Sequence, residues 1–280
     1  LSFSTDQRSP SRPTQVLLVE DNPVNQELAT RLLTKCGYHI TLANNGAEAI
    51  ECFEQQEFDL ILMDMQMPVM GGIEATETIR AREMRRSWVM SHQVQSVSII
   101  AMTANAMEGD RERCLQAGMN DYVAKPLKAQ DLYAAIDRCL DVRNSVTNLL
   151  PSLDINVESS SLNLPAAVRD VGDQQLMLTM VNMFLGEWDR YLREIATTID
   201  DRDRDRLSMS AHTVKSLLAM FHAEKARRLA AELELLTKAG ADNVDWLKCH
   251  QLAELLNQEM AKLKPAFELF ATDKTVSNIL

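Results

Sequence analysis

Val16-Leu17-Leu18-Val19-Glu20-Asp21-Asn22-Pro23 sets the terms for everything that follows it in the chain. Four consecutive apolar residues, half of them β-branched, have the length and composition of a strand buried on both faces. The run stops at two carboxylates. Asn22 then reads as a helix cap and Pro23 as the first helical residue, opening a helix that ends at Cys36-Gly37. A buried strand, an acidic end and an immediate helix form one unit of a parallel sheet, and the unit repeats. Strand His39–Ala43 is followed by a helix from about Ala47 to Glu54, and strand Asp59–Met63 by a helix from about Gly72. Strand Ser98–Met102 leads to a helix ending at Ala117-Gly118, and strand Tyr122–Ala124 to a helix over Ala129–Leu140. Five such units predict an α/β doubly wound, five-stranded parallel sheet in the flavodoxin-like order, covered by helices on both faces.

In such a sheet the carboxyl ends of the strands meet at one edge, where ligands bind. Glu20 and Asp21 end the first strand, Asp64 the third, Thr103 the fourth and Lys125 the fifth. Topology alone therefore gathers them into one pocket. Three crowded carboxylates repel one another unless a divalent cation sits among them, and oxygen ligands with room for phosphate and water suggest Mg²⁺. Lys125 adds a fixed positive charge and Thr103 a hydroxyl, which together would clamp a phosphoryl group on a nucleophilic carboxylate.

Val19-Glu20-Asp21-Asn22, Asp64-Met65-Gln66-Met67-Pro68, Ala101-Met102-Thr103-Ala104 and Lys125-Pro126 resemble the ordered motifs of response-regulator receiver domains. The form Asn22-Pro23-Val24-Asn25 is similar to receivers carried by hybrid sensor histidine kinases. That resemblance implies Asp64 as phospho-acceptor and Mg²⁺ held by Asp21, Asp64 and the backbone carbonyl of Gln66, with Glu20 acting through water. It implies Thr103 and Tyr122 as a switch pair, and Gln66 and Asn105 as residues that tune hydrolysis of the acyl phosphate. Haloacid-dehalogenase-like phosphohydrolases also order Asp, Thr and Lys on a parallel sheet. They require a second aspartate two residues after the nucleophile, where this chain has Gln66.

Residues 142–162 are rich in Asn, Ser and Thr, with Pro151, and predict a linker with Leu149-Leu150 as a short docking stretch. A flexible segment of that length would span about 25 Å, enough for one domain to reach the other. Beyond it strand signals vanish. Asp173 predicts an N-cap for a helix to about Ile199, followed by helices over about Asp203–Met220, Glu224–Lys238 (stopped by Gly240) and Val244–Phe270, kinked at Pro265. Short connections make neighbours antiparallel, so an all-α four-helix bundle is expected. Five segments result: a tail over 1–14, the sheet domain over 15–141, a linker over 142–162, the bundle over 163–271 and a tail over 272–280.

Leu207, Ala211, Val214, Leu218 and Phe221 recur at helical spacing and form the core stripe of the second bundle helix. His212 lies near the edge of that stripe, among Ser208, Lys215 and Ser216, and is expected to be exposed with little core contact. Lys215 should favour the neutral imidazole and afterwards offset phosphoryl charge. His212-Thr213-Val214-Lys215-Ser216 resembles the phospho-acceptor signature of histidine phosphotransfer domains, as does the lead-in from Leu164-Pro165 to Phe184. Ser216 and His222 depart from that family, which has glycine there.

The two resemblances imply the middle of a phosphorelay. An upstream kinase histidine of the same parent protein phosphorylates Asp64, Asp64 passes the group to His212, and His212 donates it to a separate response regulator. The reverse flow, a phosphate sink, uses the same parts. A non-catalytic scaffold that binds a regulator is the alternative of a different class. No Gly-rich ATP-binding region is present, so the chain should not consume ATP itself, though the receiver resemblance implies its own aspartyl phosphorylation and dephosphorylation. The first dozen residues look like a linker from a longer, membrane-anchored parent whose portion here is cytoplasmic. A formal charge of −11 argues against nucleic acid or anionic lipid as partner. The five scattered cysteines contain no CxxC pair and predict thiols in a reducing compartment. The other histidines lack metal-like spacing, and Ala81–Val97 predicts a solvated helix extension. Met63, Met65, Met67 and Met70 are expected to pack around the Asp64 loop.

Overall fold

The computed structural model describes residues 13–90, 96–104, 108–141, 162–238 and 244–272. Leu149-Leu150, Asn105 and Gly240 lie outside the described residues, as do residues 1–12 and 273–280 of the tails.

Strands β1 (Gln15–Val19), β2 (His39–Ala43), β3 (Leu60–Asp64), β4 (Ser98–Thr103) and β5 (Asp121–Ala124) form one parallel sheet in the order β2-β1-β3-β4-β5. Side chains alternate across it with period two. Val16, Leu18, Leu60, Leu62, Ile100 and Met102 join one core layer, and Leu17, Val19, Ile61, Met63, Ile99 and Ala101 the other. Helices α1 (Pro23–Lys35) and α5 (Ala129–Asp141) cover the first layer. Helices α2 (Gly46–Gln55), α3 (Gly72–Met90) and α4 (Glu108–Gln116) cover the second. Asn22 caps α1, its side chain accepting from the amides of Val24 and Asn25. The expected extension after Ala81 is helical to Met90, and the Glu83 carboxylate accepts from the Val97 amide at 2.6 Å, tying that helix to the start of β4.

The C-terminal half is all-helical. Helices α7 (Gln174–Asp200), α8 (Arg204–Met220), α9 (Glu224–Lys238) and α10 (Trp246–Thr272) are the four expected, with Asp173 and Asp203 capping α7 and α8. Pro265 lies inside α10, which continues through it to Thr272. A further short helix, α6 (Leu164–Val171), precedes them. Its signals are in the sequence: Asn163 accepts from the Ala166 amide, proline follows in the first turn, and Gly172 ends it in the left-handed conformation at φ 72°. The bundle core centres on Phe184, whose ring contacts those of Trp188, Phe221 and Phe267 at centroid distances of 5.1 to 5.4 Å.

The two halves share a seam in which α1 packs against α7. Asn22 Nδ2 donates to the Tyr191 hydroxyl at 3.4 Å, Lys35 pairs with Asp173, and Lys128 Nζ lies 3.5 Å from Asp170.

Gly72 sets how closely α3 approaches the end of β3. A Cβ there would stand 2.3 Å from the Asp64 carbonyl oxygen and 2.9 Å from Met63 Cγ. Backbone cannot yield at that distance, so Gly72→Ala is expected to cost about 2–4 kcal/mol in denaturant unfolding. A cost under about 0.5 kcal/mol would show that α3 can shift freely.

Candidate functional site: an acidic pocket facing a histidine

The carboxyl edge of the sheet gathers Glu20, Asp21, Asp64, Thr103 and Lys125, as the strand endings require. Glu20, Asp21 and Asp64 each offer a carboxylate oxygen, all within 4.8 Å of one another. Lys125 Nζ donates to Glu20 Oε2 at 2.6 Å and to Asp64 Oδ2 at 2.7 Å. Asn25 Nδ2 donates to Glu20 Oε1 at 2.9 Å, holding that carboxylate in place. Thr103 is buried at the end of β4, and its carbonyl accepts from the Lys125 amide at 2.6 Å. Tyr122 is half-buried, with the Arg111 guanidinium 6.0 Å from its ring centroid. Met63 and Met67 are buried beside the Asp64 loop, as their clustering suggested.

Burial pushes the Asp64 carboxyl up to about 7; Lys125 opposes that rise, and Glu20 and Asp21 add to it. Asp21 rises to about 6, from burial and then from Glu20. The Lys125 ammonium, despite its own burial, is held charged by Asp64 and Glu20. Three carboxylates against one ammonium leave a formal charge of −2, and the donor set is all oxygen. That combination fits a hard divalent cation.

The second half of the site comes from the bundle, and here one expectation fails. His212 is 5% exposed rather than open to solvent. Two things bury it. Glu234 of α9 receives His212 Nδ1 at 2.9 Å, and the Gln66 side chain of the Asp64 loop lies against the ring. With its amide nitrogen toward the histidine, Gln66 meets His212 Nδ1 most closely and is 3.3 Å from His212 Nε2 and from Glu234 Oε1, while its oxygen accepts from Lys238 Nζ at 2.9 Å. The helical-face reading placed His212 correctly at the stripe edge but took no account of a second surface over it. Lys215, also buried, donates to Glu234 Oε2 at 2.5 Å, and Lys238 donates to Oε1 at 2.5 Å.

Burial lowers the proton affinity of His212, and Lys215 and Lys125 lower it further, against the pull of Glu234. Neutral imidazole is thus favoured. With Nδ1–H directed at Glu234, the lone pair resides on Nε2. Glu234 stays ionised because His212 and the two lysines outweigh the cost of its burial. Sequence reasoning missed Glu234 and Lys238. The signal was a carboxylate on the buried face of α9, in step with Ala226, Ala230, Leu233 and Thr237. His222 occupies a left-handed position at φ 54°, which accounts for a glycine preference there, and its Nε2 lies 3.0 Å from Asp170. Ser216 is buried with no hydrogen-bond partner for its hydroxyl.

Comparison with known families decides the matter. Residues 16–137 match the response regulator receiver domain, and residues 179–263 match the Hpt domain. The chain carries a receiver domain followed by an Hpt domain. Its relatives are hybrid histidine kinases. The sensor protein GacS of Pseudomonas syringae is 30% identical over 84% of this chain and 26% of its own length. BarA of Escherichia coli is 44% identical over 42% of this chain and 12% of its own length. The chain spans between 6% and 10% of the length of three Dictyostelium discoideum hybrid kinases that it also matches. Among solved structures, the receiver domain of a Pseudomonas aeruginosa sensor histidine kinase, with a magnesium ion in its active-site cleft, is 47% identical. It covers 46% of this chain and 98% of that one, at a TM-score of 0.40. No described helix is long and apolar enough to cross a membrane.

Because their folded pKa values are raised, Asp21 and Asp64 bind protons more tightly folded than unfolded. Their ionisation therefore costs stability that is absent below about pH 4 and complete above about pH 7. Asp21→Asn should raise the stability of the metal-free receiver by about 1–2 kcal/mol at pH 8 and by little at pH 4. An unchanged or lower melting temperature at pH 8 would mean that Asp21 is not under strain from its neighbours.

Proposed function

We propose that the receiver (15–141) and Hpt (163–271) units perform consecutive steps of a His–Asp–His–Asp phosphorelay. Asp64 accepts a phosphoryl group from an upstream kinase histidine and passes it to His212 for delivery to a separate response regulator. The observation that carries this reading is that Gln66, two residues from Asp64, rests against His212. The phospho-acceptor loop and the candidate receiving imidazole are thus already in contact.

Mg²⁺ is assigned to the pocket on its −2 charge and oxygen donors, with Asp21, Asp64 and the Gln66 carbonyl as ligands and Glu20 acting through water. When bound, the ion neutralises charge on the transferring oxygens. Lys125 fixes the orientation of the Asp64 carboxylate and supplies positive charge where the phosphoryl oxygens would lie. Thr103 and Tyr122 are assigned as the switch pair. On the other side, Glu234 takes the Nδ1–H hydrogen bond of His212 and leaves the Nε2 lone pair as the nucleophile. Lys215 and Lys238 balance the charge that arrives. The transfer breaks the bond from phosphorus to the Asp64 oxygen and forms one to Nε2, leaving a free carboxylate. Flow in the reverse direction uses the same contacts. The upstream kinase, the downstream regulator and a cytoplasmic location belong to this same proposal.

A small phosphodonor with Mg²⁺ should give an acid-labile label that reaches both Asp64 and His212. Asp64→Ala should abolish it at both positions, and chelator should do the same. His212→Gln should retain the aspartyl label and stay folded, since Glu234 keeps its two lysines. Mixing Asp64→Ala with His212→Gln chains at low micromolar concentration should leave His212 unlabelled. Labelling in the mixture at the wild-type rate would refute transfer within one chain.

A further inference from the structure

Among the described residues of the bundle, three serine or threonine side chains are buried: Thr198 on α7, Ser216 on α8 and Thr237 on α9. Inside a helix such a hydroxyl ordinarily donates to a carbonyl one turn back. Thr198 Oγ1 does so to the Ile195 carbonyl at 2.9 Å, and Thr237 Oγ1 to the Glu234 carbonyl at 2.7 Å. Ser216 does not. It is 5% exposed, and its Oγ is the one buried side-chain oxygen or nitrogen among the described residues of the bundle with no hydrogen-bond partner. A buried donor left unmade costs free energy. Glycine, the residue of the phosphotransfer signature at this position, would carry no such cost.

The place of the orphaned hydroxyl matters. Ser216 stands four residues after His212 on the same strip of α8, with about 5–6 Å between the two Cβ atoms. Helical side chains lean toward the N-terminus, so that of Ser216 lies over the turn that His212 begins. The other polar groups around the ring already have partners. Glu234 Oε1 takes His212 Nδ1 and Lys238, and its Oε2 takes Lys215. The Gln66 amide that meets the ring belongs to the receiver loop. A phosphoryl group on Nε2 would bring three acceptor oxygens into these surroundings. Ser216 is the bundle donor beside it that breaks no existing bond to meet them.

We propose that Ser216 is a phosphoryl-binding residue of the Hpt domain, its hydroxyl donating to an oxygen of the group carried on His212 Nε2 and prolonging the life of the phosphohistidine. The inference deepens the relay reading and rests on His212 as the carrier. When water removes the group, the bond from phosphorus to Nε2 breaks and its electron pair returns to the imidazole. Both water protons leave with inorganic phosphate. In a loose transition state the departing group is metaphosphate-like and carries less negative charge than the bound dianion. A donor therefore holds the bound state more strongly than the transition state and slows the loss.

The test uses the full chain with Asp64→Asn, labelled directly on histidine by phosphoramidate, so that no relay step is needed. The His212 signal is assigned by its absence in His212→Gln and followed by phosphorus NMR at neutral pH once the donor has been removed. Adding Ser216→Ala should shorten the half-life about fivefold. It should also raise the melting temperature of the unlabelled chain, because an unmet buried hydroxyl has gone. Thr213→Ala, one residue from His212 and on a different face of α8, should leave the half-life unchanged. A merely structural Ser216 would lower the melting temperature together with the half-life, or move neither. An unchanged half-life in Ser216→Ala overturns the proposal, as does an equal loss in Thr213→Ala. Failure of phosphoramidate to label His212 overturns it too, since a site that binds the group must accept it. The relay is judged separately, on the wild-type chain labelled through Asp64 with Mg²⁺. If no label reaches His212 there while Ser216→Ala still shortens the phosphoramidate-derived half-life, the relay fails and the phosphoryl-binding role stands.

Discussion

One ammonium group holds the receiver pocket together. Lys125, on the loop after β5, reaches two carboxylates that belong to β1 and β3, and it is nearly as buried as they are. Removing three charges from water is costly, and direct pairing recovers that cost only when the geometry is good and the remaining oxygens are also bonded. Asn25 and the Asn22 amide satisfy the Glu20 oxygen that Lys125 does not take. For Asp21, attraction to Lys125 and a backbone hydrogen bond do not offset burial and the nearby Glu20, and its carboxyl is pushed up to about 6. The pocket thus keeps an excess of negative charge. This is a poor arrangement for stability and one that suits the cation and phosphoryl group proposed for it.

The bundle solves the opposite problem. Around His212 it places one buried carboxylate, Glu234, between two lysines, so the cluster of neutral imidazole, Glu234, Lys215 and Lys238 has a formal charge of +1. Glu234 fixes the ring while the lysines offset its negative charge. Docking brings a pocket whose own side chains sum to −2 against a cluster of charge +1, and at short separation their attraction is weakly screened. Gln66 suits the contact between them. Its neutral amide can offer nitrogen to the histidine side and oxygen to Lys238, which neither a carboxylate nor an ammonium could do.

Much of this was legible in the sequence because parallel sheets convert strand order into spatial order. Each strand end was marked by a polar residue after an apolar run, so Glu20, Asp21, Asp64, Thr103 and Lys125 could be placed together without knowing a single distance. The caps Asn22, Asp173 and Asp203 were equally plain, since a side-chain oxygen before an amphipathic run satisfies the same free amides wherever it occurs. His212 exposes the limit of that approach. Helical periodicity says which way a side chain points within its own bundle and nothing about a second surface that comes to cover it. Glu234 was missed for a related reason. An acidic residue within an apolar stripe has meaning only once its partners are known, and two of those, His212 and Lys215, come from a different helix.

The charge asymmetry bears on the direction of transfer. In the proposed relay, moving a phosphoryl group from Asp64 to His212 carries negative charge to a site lined by lysines, while Mg²⁺ in the acidic pocket would offset the repulsion there, so both directions stay open. It also changes the contact that permitted the step. The receiver regains an ionised Asp64, while the Hpt side has lost its net positive charge. The two surfaces that attracted one another before transfer attract less after it, and the α1 seam with its two exposed lysine pairs is left to hold them. Under the proposed relay, in which His212 is next presented to another protein, completing the reaction would loosen the complex in which it occurred.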